Sequence, residues 1–166
     1  MTTKVFLDLE DTVITTFDDG VLLHDHLNAL QWWLDNQNIR EVSIFSFAIW
    51  NEKDKEEFVK IHKSVLEREL NVKIVEWLSV DEMAKLSQEF SGIHWDRLDF
   101  MQLRGKHGAF IDVCKSREKD TTCILIDDAV PFETLTNHTQ NLVIKLVPIH
   151  IAVDPINIFW DNGISH

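Results

Sequence analysis

Five short apolar runs alternate with helix-patterned segments along this chain, and that alternation restricts the fold more than any other feature. The runs are "KVFLD" at 4–8, "EVSIFSF" at 41–47, "VKIVEWL" at 72–78, "TTCILID" at 121–127 and "NLVIKLV" at 141–147. Short runs rich in Val, Ile and Phe read as buried strands. Between them the apolar period changes. Leu27, Leu30, Trp33 and Leu34 predict a helix over about 24–36. Asn51 is placed to cap a long helix through about Leu70, with Phe58, Ile61, Val65 and Leu66 on one face. Ser79 and Asp81 open a short helix over about 80–89, and "HGAFIDVCK" at 107–115 reads as helical. Residues 91–105 have no clean period. Directly after the first strand, "VITTF" at 13–17, the turn signal "DDG" at 18–20 and "VLL" at 21–23 predict a small hairpin. Alternating strands and helices predict an α/β fold, a three-layer Rossmann-like architecture with a five-stranded parallel sheet and helices on both faces.

A chain of 166 residues suits one domain over 1–166, with 148–166, carrying Pro148, Pro155 and Trp160, as an extension packing back on the core. No apolar run is long enough to span a bilayer, and the N-terminus has no charged-then-apolar leader, so a cytoplasmic protein is expected. Cys114 and Cys123 form no CxxC pair and read as two reduced thiols. The histidines show no ligand spacing, so no zinc is expected. The net charge of −12 disfavours extended nucleic-acid tracks and anionic membrane surfaces. Carboxylates gathered at one point favour a divalent cation instead.

Such a gathering is written into the strand ends. In an open α/β sheet, ligands bind beyond the carboxyl ends of the strands, near a topological switch point. The first strand runs out into Asp8, Glu10 and Asp11; the second reaches Ser46; the fourth ends in Asp127-Asp128; Lys106 opens the helix before it. If these meet in one crevice, like charges raise each other's pKa unless a cation neutralises them. Mg²⁺ suits the role, because it takes oxygen ligands and binds one or two carboxylates together with a substrate phosphate. A lysine and a serine hydroxyl beside it complete the parts for phosphoryl transfer, in which a strand-tip carboxylate can be the nucleophile. Arg97 and Arg104, ahead of Lys106, are candidates for contacting a distal substrate group.

The pattern resembles the haloacid dehalogenase superfamily of phosphohydrolases. "VFLDLEDTV" at 5–13 is similar to its first motif, "VSIFS" at 42–46 to its second, Lys106 to its third and "CILIDDAVPFE" at 123–133 to its fourth, in the right order. The resemblance implies a phosphatase acting on a phosphomonoester through an aspartyl phosphate, with Mg²⁺ as cofactor. It implies Asp8 as nucleophile and metal ligand, Glu10 as general acid and base that lends its backbone carbonyl to the metal, and Ser46 and Lys106 as the phosphoryl-holding pair. Asp128 would complete the metal site, with Asp127 or Glu133 supporting, and Arg104 would join Ser46 and Lys106 in substrate binding. The hairpin at 13–23 is similar to the family's flap. No room remains for a cap domain, so an open site is implied, suited to a nucleotide, a nucleic-acid end or a phosphoprotein.

Glu10 departs from the family, which usually has Asp there. The extra methylene shifts the carboxyl by about 1.5 Å, and displacements of about 1 Å are costly in catalysis. A catalytically impaired binding module on the same scaffold is the alternative reading.

Overall fold

The structure, a computed structural model, describes residues 1–138 and 141–149. In chain order the elements are β1 (Thr2–Leu7), α1 (His24–Asn36), β2 (Glu41–Ile44), α2 (Glu52–Phe58), α3 (Ser64–Leu70), β3 (Lys73–Trp77) and α4 (Val80–Ser91). They continue with α5 (Arg97–Asp99), α6 (Gly105–Arg117), β4 (Thr121–Asp127), β5 (Thr134–His138) and β6 (Leu142–Pro148). A π-helical turn, Val59–Lys63, joins α2 to α3, and a second, Phe100–Arg104, joins α5 to α6.

Six strands among the described residues form one sheet in the order β3-β2-β1-β4-β6-β5. All neighbours are parallel except β5, which runs antiparallel to β6 with Thr134 opposite Leu146 and His138 opposite Leu142. The expected five parallel strands are present, and an antiparallel edge strand is added. "TLTNH" escaped the pattern because it is exposed along most of its length and pairs on one side only. It has no apolar stripe to read.

The central strands are buried on both faces, as parallel strands must be when helices cover each side. Val5 and Leu7 of β1, with Ile124 and Ile126 of β4, pack against Leu27, Leu30 and Leu34 of α1 and Leu66 and Leu70 of α3. Phe6, Cys123 and Leu125 point the other way, onto Val80 and Met83 of α4 and Phe110 and Val113 of α6. The result is a three-layer sandwich. Cys114 and Cys123 are both free and buried on the α6 side.

Helix ends follow the sequence closely. Asn51 Oδ1 accepts the Asp54 amide at 3.0 Å. Ser79 and Glu82 form a reciprocal capping box, with bonds of 3.1 Å and 3.0 Å. The long helix departs from expectation in its face. Its buried residues are Phe58, His62, Leu66 and Leu70, while Ile61 is exposed. The π turn widens the local period to about four residues, which rotates Ile61 outward and brings a histidine inward.

The hairpin after β1 is also corrected. A single antiparallel bridge joins Ile14 to Leu22, flanked by Thr15 N–H to Val21 O at 2.9 Å and Leu23 N–H to Val13 O at 3.0 Å. Val13 and Ile14 are fully buried, so the segment dives into the core and does not extend as a ribbon. Of the expected C-terminal extension, Pro148 ends β6 and Ile149 is buried against the α1 side of the sheet; Pro155 and Trp160 lie outside the described residues. Among the described residues no helix is long and apolar enough to cross a membrane.

Phe110 packs edge-on to Phe6 and Phe45, with ring centroids at 5.0 Å and 5.2 Å. All three are fully buried. Phe110→Ala is therefore expected to cost about 3–5 kcal/mol in urea denaturation, with the slope of the transition unchanged.

Candidate functional site

The sheet order places a switch point between β1 and β4. From β1 the chain builds outward to β2 and β3, then returns to start β4 on the other side. Leu7 pairs with Ile126 in register, and Asp8 N–H donates to Ile126 O at 3.0 Å. The carboxyl tips of two neighbouring strands thus present Asp8 and the Asp127-Asp128 pair side by side. One oxygen from each of the three carboxylates lies within 4.8 Å of the others.

The turn after β1 is wound around one carbonyl. Leu9 O receives the amides of Thr12, Val13 and Ile14 at 3.2, 2.9 and 3.1 Å. Closing this turn puts Asp11 in the left-handed region, φ +62°, a conformation that Asp tolerates better than most residues. The turn brings Thr12 back beneath Asp8. Its Oγ1 donates to Asp8 Oδ2 at 3.2 Å, lies 3.5 Å from Asp128 Oδ1, and accepts the Asp128 amide at 3.1 Å. One hydroxyl ties both strand tips together.

Lys106, in the first turn of α6, reaches the same point. Its Nζ lies 3.2 Å from Asp8 Oδ2 and 3.0 Å from Asp127 Oδ1. His107 Nε2 lies 2.8 Å from Asp127 Oδ2, and Ala129 N–H donates to Asp127 Oδ1 at 3.3 Å. Asp127 is completely buried, and both its oxygens are occupied. Burial pushes its pKa up, but the His107 hydrogen bond and the Lys106 charge outweigh that and hold it well below the usual carboxylate range. Asp8 behaves in the opposite way. Burial raises its pKa well above the ordinary value; Lys106 opposes the rise and the Asp127 charge adds to it. Asp128 is raised as well, chiefly by desolvation and by its contact with Asp127. For Lys106, burial lowers the pKa, and the charges of Asp8 and Asp127 more than reverse that.

The three carboxylates are therefore not equivalent. Among the described residues, Asp8 Oδ1 and Asp128 Oδ2 accept no hydrogen bond, while Asp127 has no oxygen to spare. Two hard oxygens on adjacent strand tips that accept no hydrogen bond from the described residues fit a divalent cation such as Mg²⁺. Asp127 fits a supporting role, holding Lys106 and His107.

The remaining expected residues divide. Ser46 is buried, accepts the Ala48 amide on Oγ at 3.1 Å, and lines the same cleft as Asp8 and Lys106. Glu10 also lines it, and its Oε2 accepts the Phe17 amide at 2.7 Å. Arg104 is placed elsewhere. Its guanidinium forms a bidentate pair with Asp112 of α6, at 2.8 and 2.6 Å. Arg97 is likewise paired with Asp81, and Glu133 with Lys145. Thr12 and His107 were not singled out from sequence as working residues. Their only signal was adjacency, Thr12 inside "DLEDT" and His107 following Lys106.

The cleft above these residues has a volume of about 780 Å³. Among the described residues, seven carboxylates line it, Asp8, Glu10, Asp11, Asp18, Asp54, Glu57 and Asp128, against one ammonium, Lys106. Phe17, Phe47, Trp50 and Met101 supply apolar wall. No family model, curated protein or solved structure matches the chain.

Asp8→Asn is expected to raise the Tm of the cation-free protein at pH 7. The sign follows from linkage. With a raised folded-state pKa, the native protein binds the proton more tightly than the unfolded chain, so wild type loses stability as pH rises through that interval. Below the ordinary carboxylate value of about 3.9 both states are protonated, and the Tm difference should close. Thermal scans from pH 3 to 8 check this.

Proposed function

We propose that this chain is a Mg²⁺-dependent phosphomonoesterase of the haloacid dehalogenase type that works through an aspartyl phosphate. The observation that carries the reading is the meeting of Asp8 and Asp128 at the switch point with the Lys106 ammonium 3.2 Å from Asp8. Asp8 and Asp128, with the Glu10 backbone carbonyl, would hold the cation, which when bound offsets the charge of the carboxylates and of the transferring phosphoryl group.

The chain's own groups divide the work. An Asp8 carboxylate oxygen attacks phosphorus as the ester P–O bond breaks. Lys106 and the Ser46 hydroxyl hold the equatorial phosphoryl oxygens, where negative charge is spread. Glu10 gives its proton to the departing ester oxygen, then takes one from the water that hydrolyses the acyl phosphate. Inorganic phosphate leaves and Asp8 is restored. Asp127 keeps Lys106 and His107 in place throughout.

The cleft's charge selects among substrates. A nucleotide or nucleic-acid end brings further phosphates or a polyanionic chain to a wall of carboxylates, which repels them. A phosphorylated protein segment with Lys or Arg beside the phosphoresidue finds acid partners along the same wall. The phosphoprotein is therefore the substrate class favoured here.

Aryl phosphate with Mg²⁺ should release phosphate, and Asp8→Asn should reduce the rate by about 10³-fold or more. Phosphopeptides with basic flanks should exceed acidic ones in kcat/KM by at least about tenfold, a difference that shrinks with added salt. Equal rates for wild type and Asp8→Asn on every phosphoester tried would sink the enzyme reading. The extra methylene of Glu10 favours the second reading, an impaired binding module. There, wild type binds metal without turnover, and Glu10→Asp raises the rate sharply.

A further inference from the structure

A buried histidine stands behind Glu10. His62 lies in the π turn between α2 and α3 and is 3% exposed. Its Nε2 is 2.8 Å from the Phe17 carbonyl oxygen. Because that partner can only accept, Nε2 carries the hydrogen. The ring also packs on Phe17, with centroids at 4.9 Å, and lies 6.1 Å from Phe58. Gly20, at φ +64°, closes over it so tightly that a Cβ there would fall 3.0 Å from His62 Cε1. A hydrogen bond, a ring contact and a close backbone approach thus fix one loop, residues 17–20, to one side chain. From the other end of the same residue, the Phe17 amide donates to Glu10 Oε2 at 2.7 Å.

We propose that His62 is a positioning residue for Glu10. Its N–H fixes the Phe17 carbonyl, the fixed residue aims its amide at Glu10, and the amide holds one carboxylate oxygen so that the other faces the cleft. This gives the π turn a purpose, since a regular helix would present a different residue to Phe17. Single π turns of this kind occur frequently at functional sites. The inference rests on the reading of Glu10 as the proton-transfer group.

The test is a double-mutant cycle with an independent structural readout. His62→Phe keeps an aromatic ring and removes the donor; His62→Gln keeps a donor. With aryl phosphate and Mg²⁺, His62→Phe should lower kcat about tenfold with KM little changed, and His62→Gln should restore most of the loss. In a Glu10→Ala background the same His62→Phe change should cost less than about twofold. Amide hydrogen exchange at Phe17 should accelerate about tenfold or more in both His62→Phe and Glu10→Ala, with amides of β1 and β4 unaffected. An equal cost of His62→Phe in both backgrounds would overturn the proposal, as would unchanged exchange at Phe17. Should wild type release no phosphate from any ester, the phosphatase reading fails, and the exchange at Phe17 still decides whether His62 holds Glu10.

Discussion

A single ammonium group between two buried carboxylates holds this architecture to its present form. Lys106 Nζ contacts both Asp8 and Asp127, at the switch point between β1 and β4. Removing an ion from water costs several kcal/mol, which attraction offsets only when geometry and hydrogen bonding are good. Asp127 meets that condition, with a lysine, an imidazole and a backbone amide on its two oxygens. Asp8 meets it on one oxygen only. The imbalance follows from the pairing of β1 and β4, which sets the two strand tips side by side.

Much of the fold was legible because it follows from local chemistry. The boundaries of α1 and β4 match their apolar patterns, and the caps at Asn51 and Ser79 sit where side chains can satisfy free amides. What stayed hidden depends on partners distant in sequence. β5 is a strand only because β6 offers an edge to it. The inward turn of His62 depends on a π turn that no 3.6-residue period foretells.

The candidate site was legible to a similar depth. Acids at strand tips, and a lysine at a helix start, can be read from sequence because topology sends strand ends to one edge. Arg104 could not be placed that way, since nothing in its neighbourhood announces that Asp112, eight residues on within α6, will take it. Nor could the inequality of Asp127 and Asp128, neighbours of identical type. Asp127 closes β4 and is buried among polar partners, whereas Asp128 lies one residue past the strand and is exposed.

Helix α6 carries Lys106 at its start and packs both thiols, Cys114 within it and Cys123 beneath it, against the sheet. Peeling this helix away far enough for a reagent to meet either sulfur would also withdraw the ammonium from two charged neighbours. The electrostatic penalty and the exposure of apolar surface would arrive together, so the layer should open as one cooperative unit. The sulfurs are shielded from oxidants by the same element that keeps the carboxylates compensated.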